Sequence, residues 1–266
     1  MHIHFLDPYR PRASLIHRLD PRVKLVLTLA FIFTVSLLPF GAWPIYVLLL
    51  AASLSIIVAS ELGVMYVLKR AALAFPFVLA AAPLMFTMSG PALMTIPIGS
   101  TVIAISAAGF ERFLSIAFKS WISVQLAIVL AASTPFPELL IAMRAIKLPR
   151  LLVAIFSLMW RYLFVLADET LRLMRARAAR SGEAAGAKAG GSIAWRARVT
   201  GGMAGSLFIR SFERGDRIYA AMAARGYDGE IRALPLPPID LSAKLTLGGG
   251  LIILAGVLGL ALLVWP

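Results

Sequence analysis

The stretch FERGDRIYAAMAARGYDGE, residues 212–230, carries three arginines and four acids in a chain that is 60% hydrophobic. On a helical wheel turning about 100° per residue with Arg210 at zero, Arg214 falls near 40°, Arg217 near −20° and Arg225 near 60°. Phe212, Tyr219 and Met222 fall on the other side. The stretch therefore reads as an amphipathic helix with one basic stripe and one apolar face. Gly226 supplies a left-handed stop, and Arg225 stands in the last turn, where the helix dipole favours a cation.

The surroundings of this helix are made for lipid. Mean hydropathy is +0.87 and 15% of residues are charged, against about a quarter in an average soluble domain. The chain reads as an integral membrane protein. It has no cysteine, which excludes disulfides, thiolate metal sites and a cysteine nucleophile. A net charge of +13 marks cytoplasmic loops held against an anionic lipid bilayer rather than a nucleic-acid surface. His2 and His4 are too few to fix a metal ion, which needs three or more ligands. The first 20 residues have no apolar core, so no cleavable signal peptide is expected.

A span takes roughly 20 apolar residues to cross about 30 Å of hydrocarbon. Residues 23–38, 45–60, 71–88, 113–132 and 245–265 qualify. Arg18, Arg22 and Lys24 lead into the first span, Lys69 and Arg70 follow the second, and Arg144, Lys147 and Arg150 follow the fourth, whereas the turns at 39–44 and 89–109 have no such cluster. The positive-inside rule then puts the N-terminus in the cytoplasm and alternates through four crossings. Residues 168–244 hold 13 Lys and Arg and 8 Asp and Glu, and a block that polar, feeding a final span with no cation after it, belongs in the cytoplasm. An even number of crossings must precede it. The apolar run 151–167, interrupted by Arg161, is accordingly expected to be buried in protein or to lie at the interface, since a mid-span arginine costs at least a few kcal/mol. A sixth span within 92–109 is the alternative.

The expected fold is all-α: a polytopic membrane protein with about five transmembrane helices, six possible, plus cytoplasmic amphipathic helices. Three regions follow: residues 1–133 with four spans, a cytoplasmic or interfacial block at 134–241, and a final span at 242–266. Within the block, 168–180 continues as a charged helix and 181–192 reads as a flexible connector. Residues 195–225 are helical again, loosened near Gly201, Gly202 and Gly205. The two arms end alike, in Ala179-Arg180-Ser181 and Ala224-Arg225-Gly226. Arginine provides every cation of the stripe, and its fork suits bidentate carboxylate pairing better than lysine does. Two arginine-tipped helices look like a docking device for an acidic or grooved partner.

At these residues the chain resembles the transmembrane T components of energy-coupling factor transporters, whose signature is two Ala-Arg-Gly-type endings on cytoplasmic helices. The opening Ser14-Leu15-Ile16-His17-Arg18-Leu19-Asp20-Pro21-Arg22-Val23-Lys24 also resembles the family's entry into its first span. Thr134-Pro135 through Leu148-Pro149, and Trp160-Arg161-Tyr162, resemble its approach to the coupling helices. The likeness covers roughly residues 14–235. It implies a multi-pass scaffold of the cell's inner (plasma) membrane with two partners: a pair of ATP-binding cassette ATPase subunits in the cytoplasm, and a substrate-binding membrane subunit (the S component, or a cobalt- or nickel-binding counterpart). By position it makes Arg180 and Arg225 the residues that enter ATPase grooves, flanked by Ala179, Ser181, Ala224 and Gly226, with Arg214 and Arg217 on the same stripe. The first motif departs from the pattern by ending in serine.

Two other function classes are open to test. An intramembrane enzyme would need acids or histidines at membrane depth, and none of the five spans contains Asp, Glu or His. A self-sufficient secondary transporter would show repeats and ionisable groups near the midplane. Lys119 and Gln125 are its only support, and such a polar pair is expected to be a structural contact. No GxxxxGK[ST] phosphate loop is present, so no cofactor is expected in this chain and ATP would be bound by the partners. The cargo, a vitamin or a cobalt or nickel ion, would be set by the substrate-binding partner.

Overall fold

The computed structural model describes residues 8–98, 101–180, 192–229 and 238–265. His2, His4, Ser181, most of the 181–192 connector and the prolines at 235 and 237 lie outside them. The chain forms two compact units, one of Asp7–Ala145 with Leu236–Pro266, the other of Ile146–Pro235 with Met1–Leu6.

The first unit opens with α1 (Leu15–Arg18) and α2 (Pro21–Leu37). Asp20 caps α2 by accepting from the Arg22 N–H at 2.8 Å, and Pro21 fills the first helical position, where its missing donor is harmless. α3 (Trp43–Ala59) follows. The run expected as a third span is segmented: α4 (Val64–Ala71), a 3₁₀ turn at Ala72–Ala74, α5 (Phe75–Leu79) and α6 (Leu84–Thr87). Pro76 and Pro83 explain the breaks, since each removes an intrahelical donor. α7 (Ala107–Ser133) is capped by Ser106, α8 (Phe136–Ala145) follows, and α11 (Leu241–Val264) closes the unit. At the start of α11 the Ser242 hydroxyl and the Leu241 N–H donate to Asp240, which holds that carboxyl below its usual range.

The core of this unit joins α2, α3, α7 and α11 through Val35, Tyr46, Leu49, Ile122, Leu254 and Ala261. Two glycines set close approaches. A Cβ on Gly109 would lie 2.5 Å from the Leu84 carbonyl oxygen, and one on Gly250 would lie 2.6 Å from Leu27 Cδ2. Small residues at such crossings let helix backbones meet in lipid, where hydrophobicity no longer drives helices together.

Between α6 and α7 the chain forms an antiparallel hairpin, β1 (Ala92–Ile98) and β2 (Thr101–Ser106), with Thr95 opposite Ala104 and Ile96 opposite Ile103. The sixth crossing entertained for 92–109 is therefore not what forms there. A two-stranded ribbon leaves both outer edges unpaired and cannot sit in hydrocarbon. Apart from this ribbon the described fold is helical.

The second unit is made of α9 (Arg150–Arg180, 31 residues) and α10 (Ile193–Ala224, 32 residues), each roughly 45–50 Å long at 1.5 Å per residue. α10 is continuous through Gly201, Gly202 and Gly205, which were expected to loosen it. Each glycine costs about 1 kcal/mol relative to alanine, which weakens a helix of this length without breaking it. Among the described residues, Val64–Thr87, Ala107–Ser133, Arg150–Arg180 and Leu241–Val264 are long and apolar enough to cross a membrane, and Trp43–Ala59 is a shorter apolar helix. By length and composition, then, the 151–167 run meets the requirement for a crossing, whereas its expected interfacial place rests on charge. The chain is a multi-pass membrane protein.

Candidate partner-docking arms

The end of α10 is built by its backbone. Gly226 adopts φ +79°, its N–H donates to the Ala223 carbonyl at 2.9 Å, and the Tyr227 N–H reaches back to Met222 at 3.0 Å. These two bonds form a Schellman motif, which satisfies orphan carbonyls of the last turn and needs a residue free to take positive φ. Arg225 is the C-cap at φ −93°, and its side chain is exposed. The stop read from the sequence is the stop that forms, and it presents an arginine at the tip of a long helix.

On the other arm, Arg180 is the last residue of α9 and is exposed, as is Ala179. Ser181 lies outside the described residues. Arg217 is exposed, with its Nε donating to the Glu213 carbonyl at 3.3 Å, and Arg214 is half-buried. Ala224 is exposed beside the tip.

The basic stripe does not act as one set. Arg210 is turned to α9, where its Nη1 donates to Glu169 Oε1 at 3.0 Å. Glu169 also meets Arg172 at 3.4 Å one turn along its own helix. Arg177, near the end of α9, lies over the Trp195 ring near the start of α10 with 5.8 Å to the centroid. From 177 back to 169 on α9 the partners advance from 195 to 210 on α10, so the helices run in opposite directions where they touch. Sequence reading missed Glu169. An acid within a long helix carries no local signal of a partner 41 positions away.

Little of either arm is covered by the unit itself. Ala154 is the one buried residue of α9 among those described, and α10 has none. Phe208 is 71% exposed, Phe212 64% and Tyr219 65%, so the apolar face read from the wheel is uncovered, on the side of α10 away from the arginine stripe. Exposed aromatics with arginine are the composition enriched at protein interfaces.

The two polar groups that could have served a secondary transporter are engaged in packing. Lys119 Nζ donates to the Leu38 and Ser36 carbonyls at the end of α2 and lies 4.6 Å from the Phe40 ring centroid. It caps a helix C-terminus, where a cation is favoured. Gln125 is fully buried and accepts from the Ser53 hydroxyl at 3.1 Å.

A family model described as cobalt transport protein (CbiQ) matches residues 12–234. The chain is 31% identical over 193 residues to the cobalt transport protein CbiQ of Rhodobacter capsulatus, covering 71% of this chain and 76% of that one. It is 29% identical over 232 residues to the energy-coupling factor transporter transmembrane protein EcfT of Listeria innocua, covering 84% of each. With EcfT of Lacticaseibacillus paracasei it shares 28% identity over 267 residues, 95% of this chain and 96% of that one. Matched along most of its length by that family model, the chain belongs to the CbiQ/EcfT family, the transmembrane T components of energy-coupling factor transporters.

Proposed function

We propose that this chain is the non-catalytic scaffold and coupling subunit of an ATP-driven importer. It links two ATP-binding cassette ATPase subunits in the cytoplasm to a substrate-binding membrane subunit in the bilayer. The observation that supports this most is the pair of long arms that bury almost nothing within their own unit and end in exposed Arg180 and Arg225. Such helices bury their exposed aromatics only by meeting another protein or lipid, and a capped, outward arginine is suited to a carboxylate-lined groove. Arg225 and Arg180 are the groove residues, with Ala179, Ser181, Ala224 and Gly226 as the small or stopping residues that let each tip approach closely. Arg214 and Arg217 extend the contact.

In this reading the N-terminus and both arms face the cytoplasm from the inner (plasma) membrane, as the cation alternation favours. ATP is bound by the ATPases, and the cargo, a vitamin or a cobalt or nickel ion, by the membrane partner. Secondary transport is disfavoured because Lys119 and Gln125 are used in helix packing.

Mild-detergent purification of the tagged chain from its own cells tests the assembly. Two ATP-binding cassette subunits and a small polytopic membrane protein are expected to accompany it, with ATP hydrolysis lost once the ATPases are stripped away. Hydrolysis by the stripped chain, or purification as a lone protein with full uptake, would contradict the proposal.

A further inference from the structure

Within the first unit, α2, α7 and α11 leave a groove of about 280 Å³ between them. Its walls are apolar for most of its length, with Phe31, Leu126 and Leu254 at one end. At the other end stand Lys24 and Ser133. Lys24 is only 5% exposed. Its Nζ donates to the Ser133 carbonyl at 3.2 Å, which uses one of three donors. Ser133 Oγ is buried and has no hydrogen-bond partner. Glu138 and Asp20 act on Lys24 through space, but no carboxylate among the described residues pairs with it. A buried ammonium with spare donors and an unpartnered hydroxyl together call for an anionic acceptor.

The dimensions give the rest of the ligand. From Lys24 to Phe31 on α2, and from Ser133 to Leu126 on α7, seven residues rise about 10 Å. That is most of one leaflet's share of a hydrocarbon core about 30 Å thick. Cations gather at this end of α2, as they do at the cytoplasmic side of membrane proteins. A free phosphate would gain nothing from the apolar walls.

We propose that this groove is a binding site for an anionic phospholipid, its phosphate accepting from Lys24 Nζ and the Ser133 hydroxyl and one acyl chain lying between α2, α7 and α11. Such a lipid would seal the junction of the first span with the last. The site does not depend on how the arms work.

The test uses the full chain in phosphatidylcholine nanodiscs carrying spin-labelled phosphatidylglycerol or spin-labelled phosphatidylcholine. Electron paramagnetic resonance reads the immobilised fraction of each. The wild type is expected to retain phosphatidylglycerol in preference, Lys24→Met to reduce that preference about fivefold or more, and the exposed Arg18→Gln to change it far less. Thr28→Phe, which fills the groove, should release the immobilised phosphatidylglycerol while leaving the helical circular dichroism unchanged. Should Lys24→Met fail to fold, Thr28→Phe alone decides. Equal retention of the two lipids by the wild type would overturn the site, as would an effect of Arg18→Gln equal to that of Lys24→Met. Displacement of the label by inorganic phosphate would show a free-anion site and would overturn it as well.

Discussion

Arg210 on α10 and Glu169 on α9 form an ion pair at 3.0 Å, the one salt bridge between the two arms among the described residues. Glu169 is 18% exposed in its side chain and Arg210 57%, so water screens one partner more than the other. A half-exposed pair is worth about 0.2–1 kcal/mol. In a double-mutant cycle with Glu169→Gln and Arg210→Gln, read by thermal unfolding of the purified chain, the coupling energy should fall in that range. Strict additivity of the two single effects would remove the pair as the tie between the arms.

The cap at the end of α10 gives a second prediction. Gly226 stands at φ +79° and a Cβ there would meet nothing within 4 Å, so Gly226→Ala costs only the left-handed backbone, about 1–2 kcal/mol. The amides of Gly226 and Tyr227 should lose hydrogen-exchange protection while the middle of α10 keeps it. Gly226→Asn should lose less, since asparagine tolerates this region. Unchanged protection in Gly226→Ala would mean that the Schellman bonds do not hold the tip.

Two glycines in the membrane unit should differ in sensitivity. At Gly109 the added methyl runs into the Leu84 carbonyl and the Met85 Cα, which are backbone and cannot step aside. At Gly250 it meets the end of the Leu27 side chain, which can rotate. Gly109→Ala should destabilise by about 1–3 kcal/mol, the usual range for overpacking, and Gly250→Ala by less. Thermal melts in detergent would order them, and the reverse order would refute the packing described at α6 and α7.

Lys119→Met separates packing from ion translocation. Removing the ammonium leaves the carbonyls at the end of α2 without their donor, which should cost about 1–3 kcal/mol. Uptake per folded molecule should be unaffected. Loss of uptake with undiminished stability would instead make Lys119 part of a transport path.

Much of this molecule is legible before folding. The Arg225-Gly226 stop follows from helix-cap chemistry, and five of the apolar helices follow from hydropathy. The hairpin was not read: Pro97 sits inside one run, and the β-branched residues on either side of Gly99-Ser100 do not alternate. A search for spans passes over it because both strands are apolar. The pairing of Glu169 with Arg210, and of Lys119 with the end of α2, could not be read, because each depends on contacts across 41 and more than 80 positions that no local pattern encodes. The same limit divided the basic stripe: a wheel places four arginines on one face, but only the packed helices show that Arg210 is already taken by α9.

Arg225 carries the central claim, and ATP-driven uptake by the complete transporter, with Arg225 as wild type, Lys, Ala or Glu, tests it most directly. The residue is exposed at a capped helix end, so each variant should keep the wild-type melting temperature of the isolated chain. Truncating one member of a desolvated interface pair costs about 2–5 kcal/mol, against 0–1 kcal/mol for a solvated charge. Uptake and ATPase co-purification should therefore fall in Arg225→Ala and most in Arg225→Glu, with Arg225→Lys impaired because lysine lacks the bidentate fork. The same series at Arg180 should show a smaller loss. Wild-type uptake and assembly in Arg225→Glu would reduce the arginine to a helix cap and contradict the proposed docking to the ATPases.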